Sequence, residues 1–121
     1  MQEQIRDLDR LLDMQEFSNL ILTNFENIEE EDFYNDKVLQ FGLLKMLENI
    51  GEAASKISRA TRSEFTELEW DKMISARHVY VHDYFKIDWE KIWVSLNTID
   101  FKAIIKVTSN IIETLKNRYS L

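Results

Sequence analysis

The strongest constraint on the fold of this chain is its shortage of turn-forming residues, because its 121 residues include two glycines and no proline. Sheets and tight hairpins usually need these residues at their turns. Their scarcity favours long helices joined by short polar loops. The length suits one domain, and a hydrophobic content of 45% is enough for a buried core. We therefore predict a single all-α domain over residues 1–121, an up-down bundle of four to five helices.

Hydrophobic residues recur at helical spacing in several segments, and this periodicity predicts the helices of the bundle. The first three predicted helices cover residues 2–25, 34–60 and 67–82. A short fourth helix contains Trp89, Ile92, Trp93 and Leu96, and the last helix covers residues 100–118.

Local patterns predict how these helices begin and end. Residues 66–69 match the capping box that would start the third helix, and residues 83–88 are predicted to form a turn after it. Asp88 would cap the short fourth helix, and the acidic residues 27–32 would form a solvated loop. Gly51 lies inside the predicted second helix, where glycine costs about 1 kcal/mol relative to alanine. We therefore expect a closely approaching helix or a partner surface at that position.

Composition and charge exclude several kinds of function. The chain has no cysteine, which excludes disulfides and thiolate metal sites. It contains no apolar run of about 18 residues and opens without a secretory signal, so we expect a cytoplasmic protein with no membrane partner. The formal net charge of −7 argues against broad nucleic-acid binding through a basic face. It leaves room for a small local phosphate site.

The segment 75–85 concentrates the side chains that can do chemistry. Arg77 and His82 would lie roughly 140° apart on an ideal helix, and both could border one groove if the helix ended near His82. Histidine suits acid–base catalysis near neutral pH, and arginine suits the binding of a phosphate. Together they indicate chemistry at a phosphodiester. The alternatives are a structural ion pair of Arg77 with Glu48 or Glu52, and a capping role for His82.

Two further patterns in this segment leave alternatives open. His78 and His82 are four residues apart, a spacing typical of metal-binding pairs on a helix. A zinc site needs a third ligand, and the direction of the adjacent Asp83 is not fixed, so we predict neither a metal nor another cofactor. Tyr84 could pack its ring, contact RNA or accept a modification, and its chemistry alone does not choose among these.

The spacing Arg77-x4-His82-x-Tyr84 resembles the R-x4-H-x-Y motif of HepT-like toxins in the HEPN superfamily. The runs at 81–85 and at 47–54 (LENIGEAA) are similar to family stretches, and the second would account for Gly51. Trp70 and the run Ile87-Asp88-x4-Trp93 fit as well, so that the resemblance covers about residues 5–115. The chain departs from the family at His78, where asparagine is usual, and at Ile99-Asp100, where a Leu-Pro pair is usual.

The resemblance implies a dimeric helical bundle that cuts RNA without a metal, with Arg77 and His82 as catalytic residues. His78 and Asp83 would support them. RNA supplies its own 2′-hydroxyl nucleophile, His82 would take its proton, Arg77 would stabilise the phosphoryl oxygens, and a homodimer would bring a second His82 to the cleft.

The family further implies a protein partner, a minimal nucleotidyltransferase antitoxin of a type VII toxin–antitoxin system, which would transfer AMP to Tyr84. One alternative is a non-catalytic HEPN module that pairs with the nucleotidyltransferase. The net charge of −7 and His78 favour that alternative. A nucleotide-binding helical domain is a third class, although the chain has no glycine-rich phosphate loop.

Overall fold

The structure, a computed structural model, describes residues 2–83 and 86–121, with only the backbone described for His82 and Asp83. Seven helices and one small hairpin occupy these ranges. The helices are α1 (Gln2–Phe25), α2 (Glu30–Asn35), α3 (Lys37–Ser55), α4 (Arg59–Glu64), α5 (Trp70–Ala76), α6 (Trp89–Thr98) and α7 (Phe101–Arg118). The strands β1 (Val81–Asp83) and β2 (Lys86–Ile87) pair antiparallel between α5 and α6.

The three longest helices form the centre of the molecule, because α1 packs against both α3 and α7. Each contributes an apolar stripe at helical spacing to a single hydrophobic core. The core residues of these helices include Leu11, Met14 and Ile21 of α1, Leu43, Leu47 and Ile50 of α3, and Ile104, Ile111 and Leu115 of α7. The shorter α5 packs on α3, which places the end of α5 beside the C-terminal part of that long helix. The predicted all-α bundle is confirmed, with a two-stranded hairpin added to it.

Aspartate caps set the starts of the longer helices in the second half of the fold. The Asp88 side chain accepts a hydrogen bond from the Lys91 amide, as expected, and Asp100 accepts one from the Ala103 amide at the start of α7. These bonds satisfy amides that lack a partner within the first helical turn. The helices predicted for residues 2–25 and 100–118 agree closely with α1 and α7.

The single helix predicted over residues 34–60 is wrong, because the chain forms three helices there. Asp36 adopts an extended backbone conformation with φ −124° and caps a new helix by accepting from the Val38 and Leu39 amides. After Ser55 the chain leaves the helix, and Ser58 becomes the N-cap of α4. The acidic loop predicted at 27–32 is also partly wrong, since α2 begins at Glu30 and buries Phe33.

The helix predicted over residues 67–82 is wrong at both ends. The capping box at 66–69 is not used, because α5 begins at Trp70 and its N-cap residue Glu69 makes no side-chain capping bond. The helix ends at Ala76, and Val81 already lies in β1. Of the predicted turn at 83–88, Asp83 belongs to β1 and residues 86–87 form β2, while residues 84–85 lie outside the described residues. Within the ranges that the structure describes, no helix is long and apolar enough to cross a membrane.

Candidate active site

Gly51 is the point of closest approach between α3 and α5. A Cβ atom at this position would lie 2.8 Å from the Met73 carbonyl oxygen and 3.2 Å from Arg77 Cβ. No side chain fits against a backbone oxygen at that distance, so glycine is needed for the two helices to touch. The approach expected at Gly51 is confirmed. It fixes the backbone of Arg77, the residue that follows α5, against α3.

Arg77 forms an ion pair with the residue that follows this glycine. Its Nη1 atom donates to Glu52 Oε2 at 2.9 Å, so of the two carboxylates that the sequence offers, Glu52 is the partner. The Arg77 side chain is 28% exposed, and the pair therefore borders solvent instead of lying in the core. Arg77 Nε is buried and has no hydrogen-bond partner among the described residues. The guanidinium thus donates to Glu52 through one of its nitrogen atoms.

Glu52 is itself held from two sides. One carboxylate oxygen accepts from Arg77, and the other lies 3.8 Å from Lys56 Nζ, one helical turn further along α3. The Glu52 side chain is half exposed, so solvent weakens both interactions. A phosphate that entered beside Arg77 would meet a guanidinium whose present partner is a solvated carboxylate.

The turn after α5 is anchored to α6 through Tyr80. Its ring is buried, its hydroxyl bonds to Ser95 Oγ at 2.8 Å, and its carbonyl oxygen accepts from the Asp88 amide at 2.8 Å. Burial raises the pKa of the Tyr80 hydroxyl, which therefore stays neutral and able to donate. Reasoning from the sequence missed this residue and Ser95. The alternation Val79-Tyr80-Val81, typical of a strand, was the available signal.

His82 lies in β1 at an irregularity of the hairpin. Val81 pairs with Ile87 and Asp83 pairs with Lys86, so β1 contains one more residue than β2 between the paired positions, and that residue is His82. Such bulges re-aim a strand locally and are frequent next to active sites. The expectation that His82 ends a helix is wrong, because α5 stops at Ala76 and a strand follows the intervening turn.

The other predicted site residues are brought together only in part. His78 lies in the turn directly after Arg77, where its amide donates to the Ser75 carbonyl oxygen at 3.0 Å. His78 and His82 consequently do not share a helix face, which removes the geometric basis for a metal pair. The described residues contain no group of three or more side chains suited to a metal ion. The side chains of His82 and Asp83, and all of Tyr84, lie outside the described residues.

Comparison with known proteins relates nearly the whole chain to one family. The family model described as "Ribonuclease HepT-like" matches residues 1–116. The "Probable ribonuclease HepT" of Thermococcus cleftensis is 35% identical over 85 residues, which are 70% of this chain and 77% of that protein.

Two proteins of Methanocaldococcus jannaschii are also similar. "Putative RNase MJ1380" is 31% identical over 83 residues, covering 69% of this chain and 76% of its own length. "Putative RNase MJ0125" is 25% identical over 114 residues, covering 93% and 97%. No solved structure gives a significant match.

Proposed function

Because the chain belongs to the HepT-like ribonuclease family, we propose that it is a metal-independent endoribonuclease of the HEPN kind, formed by one domain over residues 1–121. The observation that carries the proposal is the state of Arg77. Its guanidinium is partly exposed, uses one nitrogen on a solvated carboxylate, and precedes by five residues the histidine at the bulge of β1. A cation with unused donors near a histidine suits the cleavage of a phosphodiester.

In the proposed reaction the RNA 2′-hydroxyl is the nucleophile. His82 takes its proton, the 2′-oxygen forms a bond to the adjacent phosphorus, and the bond from phosphorus to the 5′-oxygen breaks. Arg77 stabilises the negative charge that develops on the phosphoryl oxygens. The departing 5′-oxygen receives a proton from a second acid, and the products are a 2′,3′-cyclic phosphate and a free 5′-hydroxyl. His78 and Asp83 act as supporting residues, and no metal takes part.

The second acid in this scheme is His82 of another protomer in a homodimer. An exposed apolar face supports self-association: the Val38 side chain is 82% exposed and Phe41 is 49% exposed, both on α3.

The proposal extends to regulation by a protein partner. A minimal nucleotidyltransferase, the antitoxin of a type VII toxin–antitoxin pair, transfers AMP to Tyr84. The tyrosine oxygen attacks the α-phosphorus of ATP, pyrophosphate leaves, and the hydroxyl proton passes to a base. Tyr84 is two residues from His82 in the sequence, so an added nucleotide would stand beside the catalytic histidine and carry a negative charge that repels RNA.

The test of the catalytic proposal is incubation of the purified protein with total RNA in EDTA. Wild-type protein should cut the RNA, Arg77→Ala and His82→Ala should not, and Lys102→Ala on the exposed face of α7 should cut like the wild type. A protein of unmodified mass that leaves RNA intact would contradict the proposal. Co-expression with a candidate nucleotidyltransferase should add the mass of AMP to the wild type and none to Tyr84→Phe.

A second candidate function is a non-catalytic module that binds the nucleotidyltransferase. The ion pair between Arg77 and Glu52 favours it, because a guanidinium already neutralised by a carboxylate binds phosphate less well. Absence of cleavage by both wild-type protein and the His78→Asn variant, together with a stable complex with the nucleotidyltransferase, would establish this second function instead.

A further inference from the structure

A second cluster of cations lies outside the Arg77 site, at a cavity between α4 and the start of α5. The cavity has a volume of about 710 Å³ and is lined by Arg59 and Arg62 of α4, by Leu68, and by Trp70 and Lys72 of α5. Three cations and two carboxylates, Glu69 and Asp71, border it. This local excess of positive charge contrasts with the net charge of −7 of the whole chain.

The two arginines of this cavity have no acidic partner within the part of the chain that the structure describes. Arg59 is exposed, whereas Arg62 is half-buried and its buried Nε atom makes no hydrogen bond there. An unsatisfied guanidinium N–H in a buried position is costly unless a ligand or water supplies an acceptor. The cavity beside it provides space for one.

Two acidic side chains at the ends of α4 are used elsewhere. Asp7 is buried and accepts from the Ser58 amide at 2.9 Å, from Ser58 Oγ at 2.6 Å and from Thr61 Oγ1 at 2.6 Å. Glu64, at the end of α4, is bound by Arg118, which lowers the pKa of its carboxyl group. These bonds fix both ends of α4 while leaving its two arginines uncompensated.

Glu69 is likewise partly neutralised, because Lys72 Nζ lies 3.5 Å from its Oε2 atom. Asp71 then remains as the one lining carboxylate without an ion-pair partner among the described residues. An anion in the cavity would therefore meet two arginines with free donors against one uncompensated carboxylate. Arginine is the side chain best suited to bind phosphate oxygens in pairs.

We infer that the cavity formed by Arg59 and Arg62 binds a backbone phosphate of single-stranded RNA, away from the bond that is cut. Helix α5 sets the distance between this cavity and the Arg77 site. Its first turn lines the cavity, and Arg77 directly follows its last residue. Seven helical residues span about 10 Å, a distance that a few nucleotides of extended RNA cover. The inference rests on the proposed ribonuclease function and adds a subsite that holds the strand in place.

The first experiment measures binding of a 2′-O-methyl RNA oligonucleotide, which lacks the nucleophile and cannot be cut, at several salt concentrations. The Arg59→Gln, Arg62→Gln double variant should bind roughly five- to tenfold more weakly than wild type. The slope of log K against log salt concentration should become less steep by about 0.7 for each phosphate that the variant no longer binds. Arg59 is exposed, so Arg59→Gln alone should fold like the wild type and show part of the loss of binding. Lys102→Gln, exposed on α7 and not part of the cavity, is the control for general charge.

The second experiment compares cleavage of a dinucleotide with cleavage of a long oligonucleotide. The arginine variants should raise KM for the long substrate and leave its kcat unchanged. They should leave dinucleotide cleavage at the wild-type rate, because the single phosphate of a dinucleotide is the one that is cut and none remains to occupy the cavity. Binding changes no larger than those of Lys102→Gln, or an equal loss on both substrates, would overturn the inference. If no RNA is cut but the arginine variants still bind RNA more weakly, the catalytic proposal fails and the subsite stands.

Discussion

Arg77 Nη1 lies 2.9 Å from Glu52 Oε2, so the residue proposed to bind the scissile phosphate already holds an anionic group. The pair joins the end of α5 to the last turn of α3. Both side chains reach solvent, which makes the carboxylate a replaceable ligand of the guanidinium. A bound phosphate would therefore compete with Glu52 for the charge of the Arg77 guanidinium.

Replacing Glu52 by glutamine should strengthen RNA binding. The amide oxygen of Glu52→Gln can still accept from Arg77, but the competing negative charge is gone. An exposed ion pair contributes about 0.2–1 kcal/mol, so affinity for an uncut RNA analogue should rise by roughly 1.5- to fivefold. Fluorescence anisotropy measures the change, and Glu48→Gln, one turn earlier on α3, is the matched control. Weaker binding by Glu52→Gln than by Glu48→Gln would show that Glu52 positions Arg77 for the phosphate.

Adding a methyl group at Gly51 should destabilise the fold. The new Cβ in Gly51→Ala would lie 2.8 Å from the Met73 carbonyl oxygen, and the helices must separate. Overpacking costs about 1–3 kcal/mol, and the better helix propensity of alanine offsets about 1 kcal/mol of this. Urea unfolding should therefore show a net loss of up to about 2 kcal/mol. Gly42→Ala has open space around the new atom and should gain about 0.5–1 kcal/mol in the monomer. Equal stabilities of the two variants would contradict the close approach.

A polar substitution on the exposed face of α3 should weaken self-association. Val38 is 82% exposed, so Val38→Ser should change the free energy of unfolding of the monomer by less than about 0.5 kcal/mol. If that face forms the proposed dimer, sedimentation velocity should show a shift toward monomer. Leu20→Ser, on the exposed side of α1, controls for general loss of apolar surface. A dimer unaffected by Val38→Ser must use another surface.

Acid should remove the contribution of Glu64 to stability. Arg118 holds the pKa of the Glu64 carboxyl below its ordinary value of 4.5, so the folded state binds the proton less readily than the unfolded state. The stabilisation is complete above pH 4.5 and is lost as the pH falls through the lowered pKa. The difference in urea midpoint between wild type and Glu64→Gln should therefore shrink as the solution is made more acidic. A difference that grows toward acid would have the wrong sign for this pair.

The sequence predicts correctly the helices whose ends depend on local chemistry. The bounds of α1 and α7 follow from an unbroken apolar stripe, and Asp88 caps α6 through a bond to an amide three residues away. The start of α4 depends instead on Asp7, a residue 51 positions from Ser58 in the chain. Interactions of that kind leave no trace in periodicity. Periodicity also passes over the local caps at Asp36 and Ser58, so the pattern over residues 34–60 predicts one helix where the chain forms three.

The geometry around Arg77 is only partly predictable from the sequence. Residue type and position alone identify Arg77, and Glu52 as one of its two possible partners. The end of α5 at Ala76 escapes prediction because Val79 and Val81 continue an apolar pattern that suits both a helix and a strand. The glycine at position 51 predicts a close approach, but only the packing of α5 on α3 shows which helix makes it.

The anchoring of Tyr80 has a consequence for how the hairpin can open. Its ring is buried, and its carbonyl oxygen receives the Asp88 amide proton from the far side of the hairpin. Releasing that amide to exchange with heavy water would mean extracting an aromatic ring from the core, a cost close to that of unfolding the domain. The Asp88 amide should therefore exchange about as slowly as the core of α3. The two ends of the hairpin, at Tyr80 and Asp88, would then behave as part of the rigid scaffold, and RNA bound at the proposed site would have to adapt its own shape to them.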